Sequence, residues 1–451
     1  MNIINDFSFK FNSSVKLNFD GGDLTSDSGG LLIEEFMHVT GIKNLFKMFK
    51  TKDSAVRYHT DADNLHQVIS QIFLSYYNDN DADELAYEHV LTTALNKDRL
   101  ASQPSLSRFF SRMDETTIKQ INCIMAELRR MAYAIKRPEF IVFDLDSTLL
   151  DTYGNQEGKA FNFHYQNVGY HPLLCYDSLT KDLIGVALRE GSKYCSKDAA
   201  DFLEPIFKEY TESYPDMKCM LRGDSGFASP EIYDLCEKYG ISYVIRLKEN
   251  NILRQQAEAT LEKLKKAVDF NSLDYACAYG EFNYQASSWK HPRRVVFKIE
   301  KPHGQMIYMY TFVVTSMESE AQQLIKAYCK RGTMENFIKE GKNEFGFSHV
   351  SSQSMIVNAN RFLIHALAYN IFNLFRRFAL SKSLRNCNAN TIRMAVFKIA
   401  GKIVNKSRYK YFKLCSNCVH KEEFIETFIN IQQLYTQLNI FTKHQNAVNN
   451  S

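Results

Sequence analysis

No aspartate or glutamate occurs between residues 345 and 421, a stretch that holds 13 lysines and arginines, from Arg361 to Lys421. The whole chain carries a net charge of only +4. The positive charge is therefore local, as expected of a face that meets a polyanion rather than of a generally basic protein. Other absences narrow the field. No run approaches 18 uninterrupted apolar residues, so no membrane span is expected. The start, Met1-Asn-Ile-Ile-Asn-Asp-Phe7, has no basic segment leading into an apolar one, so no secretory signal is expected. The ten cysteines are scattered, which suits reduced thiols and a cytoplasmic setting better than a disulfide framework. Cys415-Ser-Asn-Cys418 with His420 makes half of a zinc site, but the second close pair is missing. Tryptophan occurs once, as Trp289.

What is there is globular. The 451 residues are 45% hydrophobic and 24% charged, enough for two or three domains. Residues 1–135 read as mostly helical after an extended start, with Thr25, Ser26 and Asp27 as candidate caps for the apolar run 31–37. Residues 65–77 are helical by period, 78–83 form an acidic break, and Pro104 is placed to open another helix. At Pro138 the pattern changes. Residues 140–146 are an apolar run of strand character ending in acid, 171–189 a hairpin, 197–210 an amphipathic helix, 217–222 a strand, 230–239 a helix and 241–246 a strand. This order predicts an α/β ribonuclease-H-like core. It has a first part over 136–249, a β-rich insertion over 250–318 and a second part over 319–380. A helical region from 357 onward ends in a basic helical segment, 381–451.

The most informative segment runs from Tyr328 to Lys342. Read as one helix, it sets Tyr328, Arg331, Glu335 and Lys342 within roughly 60° of one another. A glutamate between cations is ordinarily a solvated ion-pair face. Here two further acids, Asp146 and Asp224, stand at the ends of separate strand-like runs. Three carboxylates on separate elements can hold a pair of divalent ions for phosphodiester chemistry, and the neighbouring cations would grip phosphates.

Several motifs together resemble a known family. They are Asp20-Gly-Gly-Asp-Leu-Thr-Ser-Asp-Ser-Gly-Gly-Leu31, Leu100-Ala-Ser-Gln-Pro-Ser-Leu-Ser-Arg-Phe109, Asp144-Leu-Asp-Ser-Thr148, Tyr153-Gly-Asn-Gln-Glu-Gly158, Arg222-Gly-Asp-Ser-Gly-Phe227 and the Tyr-x2-Arg-x3-Glu-x6-Lys segment. The chain resembles the DDE transposases of bacterial insertion sequences and looks most like the IS1380 group of the IS4-like superfamily. The resemblance implies a catalytic and metal-binding triad of Asp146, Asp224 and Glu335 holding two Mg²⁺ (Mn²⁺ substituting). It also implies cleavage of transposon ends and transfer of the freed 3′-hydroxyl into target DNA. The partners implied are double-stranded DNA, as terminal inverted repeats and target, and a second copy of the chain. The N-terminal region would recognise DNA ends and dimerise, and Tyr328, Arg331, Lys342 and Trp289 would contact DNA. For Trp289, stacking on a flipped base stands beside simple packing in the β insertion. The first triad member is Asp144 or Asp146, which share one face of a strand; the resemblance favours Asp146, since an acid followed by Ser-Thr is the pattern of related transposases.

Two rival readings stand beside this one. Asp144-Leu-Asp146-Ser-Thr148 imitates the nucleophile loop of haloacid-dehalogenase-type phosphatases, though Ser147 replaces the usual glycine and no late aspartate pair follows. A decayed transposase that binds DNA without cutting it is the other.

Overall fold

The apolar run at 140–147 is the middle of a large sheet. In the computed structural model, which describes residues 6–53, 55–267 and 274–448, the chain forms two compact units. One comprises residues 130–342 and 350–366. Its sheet has eight strands: β1 (Phe140–Ser147), β2 (Leu173–Asp177), β3 (Leu183–Ala187), β4 (Lys218–Gly223), β5 (Ser242–Leu247), β6 (Ala276–Tyr284), β7 (Arg293–Lys301) and β8 (Met309–Thr315). Their spatial order is β6-β7-β8-β5-β4-β1-β2-β3. Only β5, β4 and β1 run parallel to one another, and every other pairing is antiparallel. The parallel trio is covered on both faces, as parallel strands require. Phe143 points to Phe207 and Tyr210 of helix α1 (Ala199–Ser213). Val142, Met220 and Val244 pack on the other face with Leu324 and Ile325 of helix α3 (Ala321–Cys329). Helix α2 (Pro230–Lys238) links β4 to β5.

The strands expected as an inserted β element are present, but they do not form a sheet of their own. β8 pairs with β5 from Val244↔Thr315 to Leu247↔Phe312, so β6–β8 continue the main sheet. An exposed β5 edge would leave backbone groups unpaired, and this hairpin array satisfies them. Of residues 250–318, 268–273 lie outside the described residues, as do Met1–Asn5 of the N-terminus.

The second unit comprises residues 1–129, 343–349 and 367–451. Helices Gly30–Val39 and Asp61–Phe73 contribute Phe36 and Phe73 to its core, edge-on or tilted to Phe375 and Phe372. Arg393 is 1% exposed in the same core, donating to the carbonyls of Phe73 and Ile72.

Three local expectations fail here. The helix at Gly30 begins after Gly29 with no side-chain cap. Asp27 is instead buried against Lys398 (2.6 Å) and Tyr76 (2.8 Å). The helix expected over 65–77 spans Asp61–Phe73; Thr60 and Asp63 form its capping box, and Ser75 at φ +70° lies beyond its end. The C-terminal part is not all helical. Strands β9 (Gly401–Lys406) and β10 (Tyr409–Leu414) form a hairpin joined to Leu24–Thr25, because Ile403, Val404, Tyr409, Tyr411 and Phe412 are β-favouring residues on either side of a turn at Ser407-Arg408.

Candidate active site

One face of β1 changes character along its length. Val142, Asp144 and Asp146 alternate onto it, each about 6.6 Å beyond the last. On the overlying chain, Leu324, Ala327 and Arg331 advance at a comparable pace. Val142 joins the apolar cluster around Leu324. Asp144, fully buried, receives two bonds of 2.6 Å from Arg222, whose guanidinium also reaches the Ala327 carbonyl and the Ser178 hydroxyl at 2.7 Å. At Asp146 the face opens: its side chain is 14% exposed and lies 2.8 Å from Arg331.

Register explains why Asp224 belongs to the same place. Arg222 pairs with Asp144 and Gly223 with Leu145 across parallel β4 and β1, so Asp224 and Asp146 come next on adjoining strands. Arg331 is 4.0 Å from Asp224. The Asp224 backbone is extended, and its Oδ1 accepts from the Gly226 amide at 2.8 Å. Gly226 sits in tight quarters, since a Cβ there would lie 3.0 Å from both Asp224 Oδ1 and Cys195 Cβ and would press on them.

The glutamate segment is helical but not a single α-helix. Helix α3 ends at Cys329, Lys330–Gly332 form a 3₁₀ turn, and α4 (Thr333–Glu344) begins anew. The tighter turn changes the phase of the expected stripe. Glu335 lies exposed in the first turn of α4, and its charge is felt at Asp146. Burial, with the nearby carboxylates of Asp224 and Glu335, pushes the Asp146 carboxyl up to about 6 despite Arg331.

The expected DNA-contacting residues are differently engaged. Arg331 faces the aspartates and, more weakly, the Leu145 carbonyl (3.4 Å). Lys342 donates to the Leu149 carbonyl at 2.7 Å and to the Thr148 hydroxyl at 3.3 Å, with burial lowering its pKa. It therefore braces the loop after β1. Tyr328 is half-buried against the apolar cluster that includes Val142 and Val313. Trp289 is 7% exposed, edge-on to Tyr233 and Tyr284 and beside Arg293. It fills a core position.

Two neighbours were not anticipated from the sequence. Arg222 precedes the Gly-Asp224 pair, and its spacing from Asp144 carries no motif until the strands are paired. Tyr165 donates its hydroxyl to the Ser147 carbonyl at 3.1 Å, and burial, then Asp146, raises its pKa.

The donor chemistry suits a hard divalent ion: carboxylate oxygens only, with excess negative charge at Asp146. A finished cage is a different matter. Among the described residues no group of three or more His, Cys, Asp or Glu side chains converges on one point, and Arg331 lies against the aspartate pair instead. The half zinc site at Cys415 and Cys418 likewise gains no further ligands among these residues. No helix among them is long and apolar enough to cross a membrane.

Comparison with known proteins bears on this site. No curated protein matches the chain. A solved structure of piggyBac transposase, in a synaptic complex with hairpin DNA, is 11% identical with a TM-score of 0.42, covering 92% of this chain and 82% of that one. The family described as "Transposase DDE domain group 1" matches residues 7–436, which include Asp146, Asp224 and Glu335. With nearly its whole length matched, the chain belongs to the DDE transposase family, group 1.

Proposed function

We propose that this protein is an insertion-sequence transposase of the IS1380 type. It would cut the ends of its element and join the freed 3′-hydroxyl to target DNA, with Asp146, Asp224 and Glu335 as its catalytic acids. The observation that carries this reading is the pairing of β4 with β1, which brings Asp224 beside Asp146 at the open end of the sheet. The antiparallel β3-β2-β1 set followed by parallel β4 and β5 supports a ribonuclease-H-like core.

Asp146, Asp224 and Glu335 would hold two divalent ions, Mg²⁺ or Mn²⁺. Such ions, when bound, activate an attacking water or hydroxyl and stabilise the leaving oxygen. The protein's own groups do the positioning. Asp224 is fixed by the Gly226 amide, Asp146 by the Ser147 amide at 2.9 Å. Asp144 and Arg222 brace both strands from beneath. Arg331 balances the aspartates until a phosphate approaches, and is then free to turn toward that anion. Cutting two ends together calls for at least two copies of the chain.

The phosphatase-like reading of Asp144 loses its basis, because a nucleophile cannot be fully buried with both oxygens bonded to Arg222. The decayed-transposase reading is separated by experiment. Purified protein is incubated with Mg²⁺ and labelled duplexes from the DNA flanking its gene. Cleavage at a repeat boundary, with joined products when target DNA is added, is the expected result. Binding without cleavage in Mg²⁺ or Mn²⁺ would favour the decayed form.

A further inference from the structure

The acid-free tract does not present all its cations to solvent. Arg361, Arg376 and Arg393 are buried, so they serve the interior. Most of the exposed ones gather on the β9–β10 hairpin, which lies within a region expected to be helical.

Pairing sorts the hairpin into two faces. Lys402↔Lys413, Val404↔Tyr411 and Lys406↔Tyr409 lie on one, Ile403↔Phe412 on the other. Ile403 is 5% exposed, so the second face is the packed one. On the first, Lys402, Lys406 and Lys413 are exposed, as are Tyr409 and Tyr411. At the turn, exposed Arg408 lies over the Tyr409 ring and donates to its hydroxyl at 2.9 Å. Among the described residues none of Lys402, Lys406, Arg408 and Lys413 is held in an ion pair. Like charges directly opposite on paired strands destabilise a hairpin, so Lys402 facing Lys413 without an acid costs stability in the free protein. A polyanion removes that cost.

We propose that this outward face of β9–β10 is a contact surface for the backbone of double-stranded DNA. The inference rests on the transposase reading and deepens it by naming the element and its side chains. Six-residue strands span about 20 Å, enough to follow several phosphates, and a two-stranded ribbon fits the major groove. Lysine, arginine and tyrosine are all phosphate-contacting types. A lipid surface would call for large apolar side chains beside the cations, and Val404 is the sole aliphatic residue on this face.

The test measures affinity of the full-length protein for a labelled duplex from the flanking DNA, over a series of salt concentrations. A variant carrying Lys402→Gln, Lys406→Gln, Arg408→Gln and Lys413→Gln is compared with one carrying Lys402→Arg, Lys406→Arg and Lys413→Arg. Each phosphate contact contributes about 0.9 to the slope of log affinity against log salt. The glutamine variant is expected to lose about 3.6 in that slope and at least tenfold in affinity, with thermal unfolding no lower than that of wild type, while the arginine variant keeps both slope and affinity. A glutamine variant with the wild-type slope overturns the proposal, and so does one weakened with no change of slope. Wild type that binds no duplex at any salt counts against the transposase reading itself.

Discussion

Arg222 and Asp144 face each other across two parallel strands, joined by a pair of 2.6 Å bonds in a fully buried position. The next residues on that sheet face are Asp224 and Asp146. The buried pair is thus a foundation for the partly exposed one, and the two aspartates of β1 have separate environments although they share a face.

Removing one partner of such a pair leaves an uncompensated buried charge, a loss of roughly 3–5 kcal/mol. Arg222→Met is expected to destabilise by that order in urea unfolding. Combining it with Asp144→Leu should recover part of the loss, because neither charge then remains. A double variant as unstable as the two single losses combined would contradict the coupling.

Asp146 should leave a signature in the pH dependence of stability. Its carboxyl is held at about 6 against an ordinary 3.8, so the folded state binds that proton more tightly than the unfolded state. The resulting stabilisation is complete below about pH 4 and is lost as pH rises to about 6, a change on the order of 3 kcal/mol. Asp177 is also pushed up to about 6, but it is common to wild type and Asp146→Asn. The stability difference between these two proteins, measured from pH 3.5 to 8, should move in favour of the variant as pH rises. A flat difference would count against it.

Arg331 opposes that upward shift. Arg331→Gln is therefore expected to move the Asp146 transition to higher pH, with the pH window read by the same unfolding series. An unmoved or lowered transition would mean that the guanidinium does not govern the aspartate.

Divalent ions should stabilise the folded protein at pH 8 without any DNA. Binding to the native state alone adds about 2.7 kcal/mol at a hundredfold excess over the dissociation constant. Melting in Mg²⁺ or Mn²⁺ is expected to rise for wild type and for Lys402→Gln, and to rise less for Asp224→Ala and Glu335→Gln. Equal rises in all four proteins would place the ions elsewhere.

Much of the central sheet was legible because strand signals are local. The apolar run into Asp144 and Asp146, the hairpin around 171–189 and the strand into Asp224 follow from alternation and length. The misses have physical causes. The Asp20–Leu31 motif reads as a cap-rich loop, yet a Cβ at Gly29 would lie 1.7 Å from the Val396 carbonyl oxygen; a contact across more than 360 residues has no local sign. The β9–β10 hairpin falls within a stretch expected to be helical, because its apolar residues follow no strict alternation and only their β-favouring types mark it as strand. The Tyr328–Lys342 stripe assumed one unbroken helix, and the 3₁₀ turn at Lys330–Gly332 shifts its phase. Lys342 and Trp289 show that residue type alone does not say whether a cation or an aromatic ring faces a ligand or the interior.

The most direct test of the site compares metal-dependent cleavage of terminal DNA by wild type, Asp146→Asn, Asp224→Ala, Glu335→Gln and Asp144→Asn, each first shown to be folded and to bind the duplex. Wild type is expected to cleave in Mg²⁺ or Mn²⁺, and the first three variants to lose at least a thousandfold. In Asp144→Asn, activity per folded molecule should survive while stability falls. Cleavage that persists in Asp146→Asn but vanishes in a folded Asp144→Asn would contradict the assignment of the site.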